Sequence, residues 1–267
     1  MTDPLIDAAG TVHAPAGPDA RILSLVPSIT ELLFDLGLED RLGGRTSFCV
    51  HPAPEVKAVP SVGGTKRVNM EKVARIGATH VIVNVDETPK TVADALGAAG
   101  LTVIVTHPNT VEDNLGLYRL IGGIFDRADA AEDLCGKLEA ELVGFPSDLP
   151  GRAVLYLIWE DPWMTVSRDT YIADVLARAN WRTMGHDPEV RYPAIEMNEP
   201  FLADVDLVLF STEPYSFTEK HVEAFRENFP GHAHKAKIID AEMVSWYGSR
   251  AIPGLAYLRR MAERLAS

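Results

Sequence analysis

Cys49 and His51 flank one residue in "SFCVHP", and His232 and His234 do the same in "PGHAHKAK". In an extended chain such pairs share a face and offer soft or borderline donors to one metal ion. A protein metal site needs three or four ligands, and no second pair with C-x-x-C or H-x-x-x-H spacing accompanies either one. No resident metal is therefore expected; Cys49 and His51 are candidate donors only to a metal that a ligand carries in. "PGHAHKAK" reads as a solvated loop before a strand, and His80 as structural. Cys49 and Cys135 are too few and too far apart for a disulfide framework and read as reduced thiols. "VGGTKRVN" lacks the G-x-x-x-x-G-K-[ST] spacing, so Lys66 alone makes no phosphate loop, and Gly43-Gly44 and Gly63-Gly64 both read as turns at strand ends. There is no G-x-S-x-G elbow, and no partner histidine is suggested for Ser167, Ser245 or Ser249. No catalytic residue and no resident cofactor are assigned.

The aromatic residues say more. They make up 7% of the chain, yet many fall at strand exits or in loops. Phe48 lies beyond Gly43-Gly44; Trp159 and Trp163 flank "EDP"; Tyr192 sits in "VRYPAIE"; Trp246 and Tyr247 sit in "VSWYGSR". Ligands of open α/β sheets bind beyond the carboxyl ends of the strands, where rings supply rigid apolar area with a polar tip. Phe48, Trp163, Tyr192 and Tyr247 are candidate pocket residues on this ground. Trp159 and Trp181 read instead as caps on hydrophobic layers.

The elements that must position these residues alternate. "ILSLV" suits a short buried strand that Pro27 ends, with Ser28 or Thr30 capping a helix that Gly37 closes. "HVIVNV" follows the helical "NMEKVARIG", and "LTVIVT" follows "TVADALGAAG". From Thr110 no strand candidate occurs until "RAVLYLIW"; Ala131, Leu134, Leu138 and Leu142 recur there at helical spacing. A helix of about 20 residues would reach roughly 30 Å, enough to cross from one lobe to another. Alternation then resumes through "YIADVLARA", "DLVLF", "FTEKHVEAFREN", "AKIID" and "GLAYLRRMAERLA". "NMEKVARIGATHVIV" and "MNEPFLADVDLVLF" echo each other: Asn, Glu, helix, apolar strand. The expected fold class is α/β, with two doubly wound lobes at 20–125 and 150–267 joined by one long helix at 126–146.

Composition bounds the function. The chain has 267 residues, 46% hydrophobic and 24% charged, with a net charge of -13. Nucleic acid and anionic membranes want a basic footprint, so neither is an expected partner. The opening "MTDPLIDAAGTVHAPAGPDARILSL" has no basic start and no unbroken apolar run, and no window reaches ~18 apolar residues. Taken literally this says cytoplasmic, or periplasmic if the chain is a mature form with a replaced start.

In order along the chain, "RILSLVPSITELLFDLGL", "SFCVHP", "VGGTKRVNMEKVARIGATHVIV", "IWEDPWMTVSRDTYIADVLARANW" and "VSWYGSRAIPG" resemble the substrate-binding proteins of iron-chelate and vitamin B12 ABC importers, most nearly the cobalamin-binding members. The resemblance covers residues 20–265. It implies two α/β lobes on a rigid connecting helix, a ligand cleft between them, no catalysis, and a monomer that delivers a corrinoid or metal chelate (siderophore or haem) to an ABC permease. It places the ligand-binding positions on Phe48, Thr65, Asn84, Trp163, Tyr192 and Tyr247, with Cys49, Trp246 and Arg250 beside them. Thr65 and Asn84 stand where the best-known members have tryptophan, which leaves room for another chelate or a smaller, more polar ligand. It places permease docking on Glu71 and Glu199, although a helix-initial acid favoured by the macrodipole fits both residues equally well. Two other readings remain at this stage. One is a cytosolic sensor or carrier without a transporter; the other is an enzyme acting on a tetrapyrrole or metal chelate, dependent on His107 or Glu160.

Overall fold

The structure, a computed structural model, describes residues 4–65 and 67–266. Lys66 and the first three residues of the N-terminal reading lie outside them. The chain divides into two compact units. The first holds most of the sequence up to Glu139 together with Tyr247–Arg250; the second holds Asn109–Val111, Ala140–Trp246 and Ala251–Ser267.

The first unit opens with a hairpin, β1 (Leu5–Ile6) and β2 (Val12–His13). After it come β3 (Ile22–Ser24), α1 (Pro27–Asp35), β4 (Leu42–Arg45), α2 (Met70–Ile76), β5 (His80–Asn84), α3 (Lys90–Ala98), β6 (Thr102–Thr106) and α4 (Asp113–Ile124). The helix α5 (Ala128–Val143) follows, and the partition between units falls within it, after Glu139. The second unit contains β7 (Arg152–Leu157), α6 (Tyr171–Arg178), β8 (Trp181–Thr183), α7 (Glu199–Ala203), β9 (Leu207–Ser211), α8 (Glu219–Asn228), β10 (Ala236–Ile239), α9 (Glu242–Ser245) and α10 (Ala251–Ala266).

Each unit is built on a four-stranded sheet, ordered β4-β3-β5-β6 in the first and β8-β7-β9-β10 in the second. All pairings within both sheets are parallel. The two orders are the same: the chain steps from its first strand to one side, then winds back past it. Central strands of such sheets are covered on both faces and so are apolar throughout. Val81, Ile82 and Val83 of β5, and every residue of β9, are buried accordingly. Val81 and Val83 pack with Leu23, Leu25, Val62, Val73 and Leu96. Phe210 packs with Leu155, Leu157, Leu202, Phe217 and Phe225.

The echoed segments form the same device in each unit. The Asn69 side chain accepts from Lys72 N at 2.9 Å to start α2, and that of Asn198 accepts from Phe201 N at 2.9 Å to start α7. Each cap satisfies an amide that the first helical turn would leave unpaired.

Several expectations are corrected. Gly43-Gly44 is part of β4 rather than a turn: a Cβ on Gly44 would meet Ile76 Cδ1 at 2.5 Å, so the glycine serves close packing of α2 on the strand. Gly63 does turn the chain, at φ +123°. Neither Ser28 nor Thr30 caps α1, which starts directly at Pro27; Thr30 Oγ1 turns back to Val26 O at 3.0 Å. The segment after Thr110 holds two helices, separated where Asp126 adopts φ 57°. α5 has 16 residues and is accordingly about 24 Å long at the usual rise. Pro146 lies three residues past its end and is incompatible with its continuation. Trp181 is buried as expected, but inside the strand β8 rather than over a layer.

The hairpin covers an edge. β6 is the last strand of its sheet, and Ala8 N donates to Val105 O at 2.9 Å along it. Asp7 holds this contact together. Its Oδ1 accepts from the amides of Ala9 and Thr11, and its Oδ2 accepts from Val105 N and lies 3.0 Å from His13 Nε2. Burial opposes ionisation of Asp7, yet these hydrogen bonds, His13 first, hold its carboxyl below the ordinary aspartate value. Replacing Asp7 by Ala strands the buried His13 ring and the half-buried Val105 amide and should cost about 3 kcal/mol, measurable by urea denaturation. Because the folded value is depressed, Asp7 stabilises fully above its unfolded pKa, and the contribution fades as pH falls through the folded one. The wild-type and Asp7→Ala stabilities should accordingly converge in acid.

Candidate functional site

Parallel strands bring all their carboxyl ends to one edge of a sheet. In the first unit these are Ser24, Arg45, Asn84 and Thr106; in the second, Leu157, Thr183, Ser211 and Ile239. The winding reverses between β3 and β5 in one unit and between β7 and β9 in the other, the topological position at which ligands of open α/β sheets bind.

In the first unit, Phe48 follows β4 and is 61% exposed, with its ring against Gly64. Val50 and Val85, after β4 and β5, are exposed as well. Thr65 is half-buried in the loop before α2. Asn84 ends β5 and is turned inward: its amide nitrogen donates to Thr106 O at 3.1 Å and its oxygen accepts from Asp86 N at 2.8 Å. Tyr247 is buried and donates to Glu87 Oε1 at 3.0 Å. Burial, then the Glu87 charge, holds its phenol neutral to well above the usual tyrosine range. Arg250 meets Glu31 through two hydrogen bonds of 2.8 and 2.7 Å.

Cys49 does not face solvent. Its sulfur lies 3.0 Å from Thr30 Oγ1 and 3.2 Å from Thr46 Oγ1, and burial pushes the thiol up despite both contacts. The residue adjoining Phe48 in sequence thus anchors the loop from within, because side chains alternate across an extended segment. Among the described residues no group of three or more His, Cys, Asp or Glu could hold a metal ion.

In the second unit, Trp163 follows β7 and stacks on Phe217 at 6.1 Å, with an interplanar angle of 9°. Trp159 caps no layer, contrary to expectation; it is 43% exposed and meets Tyr215 edge-on at 5.4 Å. Tyr192, in the loop after β8, is half-buried beside the Arg191 guanidinium. Trp246 is buried and donates through Nε1 to Glu213, whose carboxyl burial pushes up. A group the sequence reading had not assembled lies at the same edge. Tyr215 donates to Glu160 Oε2 at 2.6 Å, and His221 Nε2 is 3.4 Å from Tyr215 and 3.7 Å from Glu160. Nδ1 of His221 accepts from Thr218 N, which leaves Nε2 to carry the proton toward that pair. Its members were legible only as polar residues just beyond strand exits, Glu160 in "WEDP" after β7 and Tyr215 in "TEPY" after β9, with His221 in the helix that follows. The phenol of Tyr215 is raised first by its bond to Glu160.

Glu71 and Glu199 each stand in the first turn of a short helix, α2 and α7. Glu71 is exposed; Glu199 pairs with His232 at 2.8 Å. "PGHAHK" is accordingly a 3₁₀ turn rather than a solvated loop. Within the second unit a cavity of about 220 Å³ lies beside Trp163 and another of about 260 Å³ beside Trp181. Both fall below the ~300–1,000 Å³ of ordinary ligand pockets.

The model of the periplasmic binding protein family matches residues 22–234. The chain belongs to that family. The vitamin B12-binding protein of Vibrio cholerae is 24% identical over 200 residues, which cover 73% of this chain and 71% of that one. The crystal structure of the periplasmic vitamin B12 binding protein of Vibrio cholerae superposes with a TM-score of 0.78 at 19% identity, covering 92% of this chain and 98% of that one. The periplasmic heme-binding protein RhuT from Roseiflexus sp. RS-1 superposes at 0.76 and 20% identity, covering 93% and 100%. The fold is therefore that of the two-lobe periplasmic binding proteins, and the protein is a substrate-binding protein, not an enzyme. The cytoplasmic placement taken from the opening residues is overturned by these matches, since the family and both solved relatives are periplasmic. No helix among the described residues is long and apolar enough to cross a membrane.

Two measurements check the local geometry. Glu160→Gln should shift the ionisation of Tyr215 to lower pH, read as tyrosinate absorbance against the wild type. A maleimide should leave Cys49 unmodified in the native protein and label it on unfolding.

Proposed function

We propose that this periplasmic-binding-protein family member captures a corrinoid or a related metal-chelate macrocycle and delivers it to an ABC permease. The observation that carries the reading is the clustering of rings at strand carboxyl ends: Phe48 in the first unit, Trp159, Trp163 and Tyr192 in the second. Flat macrocycles are held by such rigid apolar faces, with polar tips fixing orientation. The cavities within the second unit are too small for a macrocycle, which favours capture on the exposed strand-end surfaces. Likeness to vitamin B12- and heme-binding proteins supports the same ligand class.

In this reading Phe48, Trp163 and Tyr192 contact the macrocycle and Thr65 contributes a hydroxyl. Asn84, Trp246, Tyr247 and Arg250 position the loops through the hydrogen bonds described above. Cys49 stabilises the Phe48 loop and gives the ligand no donor. The domains are proposed as lobes at 20–125 and 150–267 with the helical segment 126–146 between them, and the protein as a monomer. Glu71 and Glu199 form the permease contact, where charges steer the encounter.

Absorbance or calorimetric titration with cyanocobalamin, hemin and a ferric siderophore tests the proposal. Trp163→Ala and Tyr192→Ala are each expected to weaken binding about tenfold or more. Binding of no macrocycle by a protein with native circular dichroism would sink the reading. Charge reversal at Glu71 and Glu199 should leave ligand affinity unchanged while abolishing uptake by cells; retained uptake removes the docking assignment.

A further inference from the structure

We infer that the ligand is selected by charge: the strand-end surfaces favour a neutral or cationic macrocycle bearing N–H or O–H donors and disfavour one carrying free carboxylates. This inference rests on the reading above and narrows it.

The loops at the two winding reversals carry the argument. Residues 85–89, after β5, include Asp86 and Glu87; residues 158–163, after β7, include Glu160 and Asp161; residues 212–217, after β9, include Glu213. None of the three loops contains Lys or Arg, and Leu25-Val26 after β3 is uncharged. The partners described for Glu160 and Glu213 are hydroxyl, imidazole and indole groups, and none is a lysine or an arginine. Arg250, the nearest base in the "VSWYGSR" segment, is matched by Glu31. The net charge of -13 adds a background of the same sign. A macrocycle whose side arms end in carboxylates would enter against this field, whereas amide or ammonium arms present donors to fixed acceptors.

Glu160 shows the recognition at atomic scale. Its Oε2 already accepts from Tyr215, and among the described residues no hydrogen bond reaches Oε1. The Trp163 ring and the Phe225 and Phe229 side chains line the cavity of about 220 Å³ beside it. That combination of a carboxylate acceptor and aromatic walls suits an amide or alkylammonium arm.

The test compares ligands that share a ring and differ only in charge. The wild-type protein is titrated with hemin and with its propionamide derivative, and with cyanocobalamin and its side-chain monocarboxylic acid. The amide form of each pair is expected to bind about tenfold tighter per carboxylate removed, and the gap to shrink with added salt. A Glu160→Gln, Glu87→Gln double variant should narrow the gap while still binding the amide forms. Equal or tighter binding of the carboxylate forms overturns the charge inference and leaves the macrocycle reading standing. Failure of every ring to bind, with the fold intact, overturns both.

Discussion

Parallel strand pairing is the constraint from which the remaining structure follows. Every strand needs a crossover to begin the next, so the amide and carbonyl groups stay paired while all carboxyl ends emerge on one edge. Reversing the winding after the first strand then leaves a gap where neighbouring loops run apart. Both units make the same reversal, in the orders β4-β3-β5-β6 and β8-β7-β9-β10. The rings and carboxylates of interest follow those strand ends, in loops where a change of residue leaves the ladder untouched.

The same constraint explains which side chains were available for recognition. Asn84 and Tyr247 are buried, and each hydrogen-bonds a neighbouring strand end or loop. They fix the positions of Asp86 and Glu87 rather than presenting surface themselves. Phe48, Trp159 and Tyr192 retain exposed or half-buried rings. In the proposed binding surface the first sort would set loop geometry and the second would meet the ligand. The second unit has the larger aromatic group, with Trp163, Phe217, Phe210 and Phe225 packed ring against ring. Each such ring pair adds about 0.5–1.5 kcal/mol beyond burial, and the cluster stiffens the loop that carries Glu160.

The acidic character of the chain gains a local meaning from this geometry. Formal charge alone disfavoured nucleic acid as a partner, but it said nothing of where the acids stand. Topology concentrates several at the winding reversals, with hydroxyl, imidazole and indole groups as their described partners in the second unit. On the proposed reading, acids grouped at the winding reversals would discriminate among ligands of similar shape, because shape-fitting rings bind through the same apolar area whatever their charge.

Much of the fold was legible in the residues themselves. β3, β5, β6, β7, β9 and β10 are short apolar runs, and the paired "Asn-Glu" signals mark α2 and α7 because a side-chain amide oxygen can satisfy a helix-initial N–H in any context. The strands β4 and β8 were not legible: "LGGR" is weakened by its glycines, "WRT" is only three residues long, and both exist because neighbours supply the missing half of each ladder. The side-chain roles divided the same way. That a ring stands after a strand could be read from order, whereas the inward turn of Cys49, the Tyr247–Glu87 bond and the meeting of Glu160, Tyr215 and His221 depend on residues distant in sequence. Local backbone preference acts between near neighbours and is written in the chain; burial and pairing across loops are decided only when the tertiary structure brings those loops together.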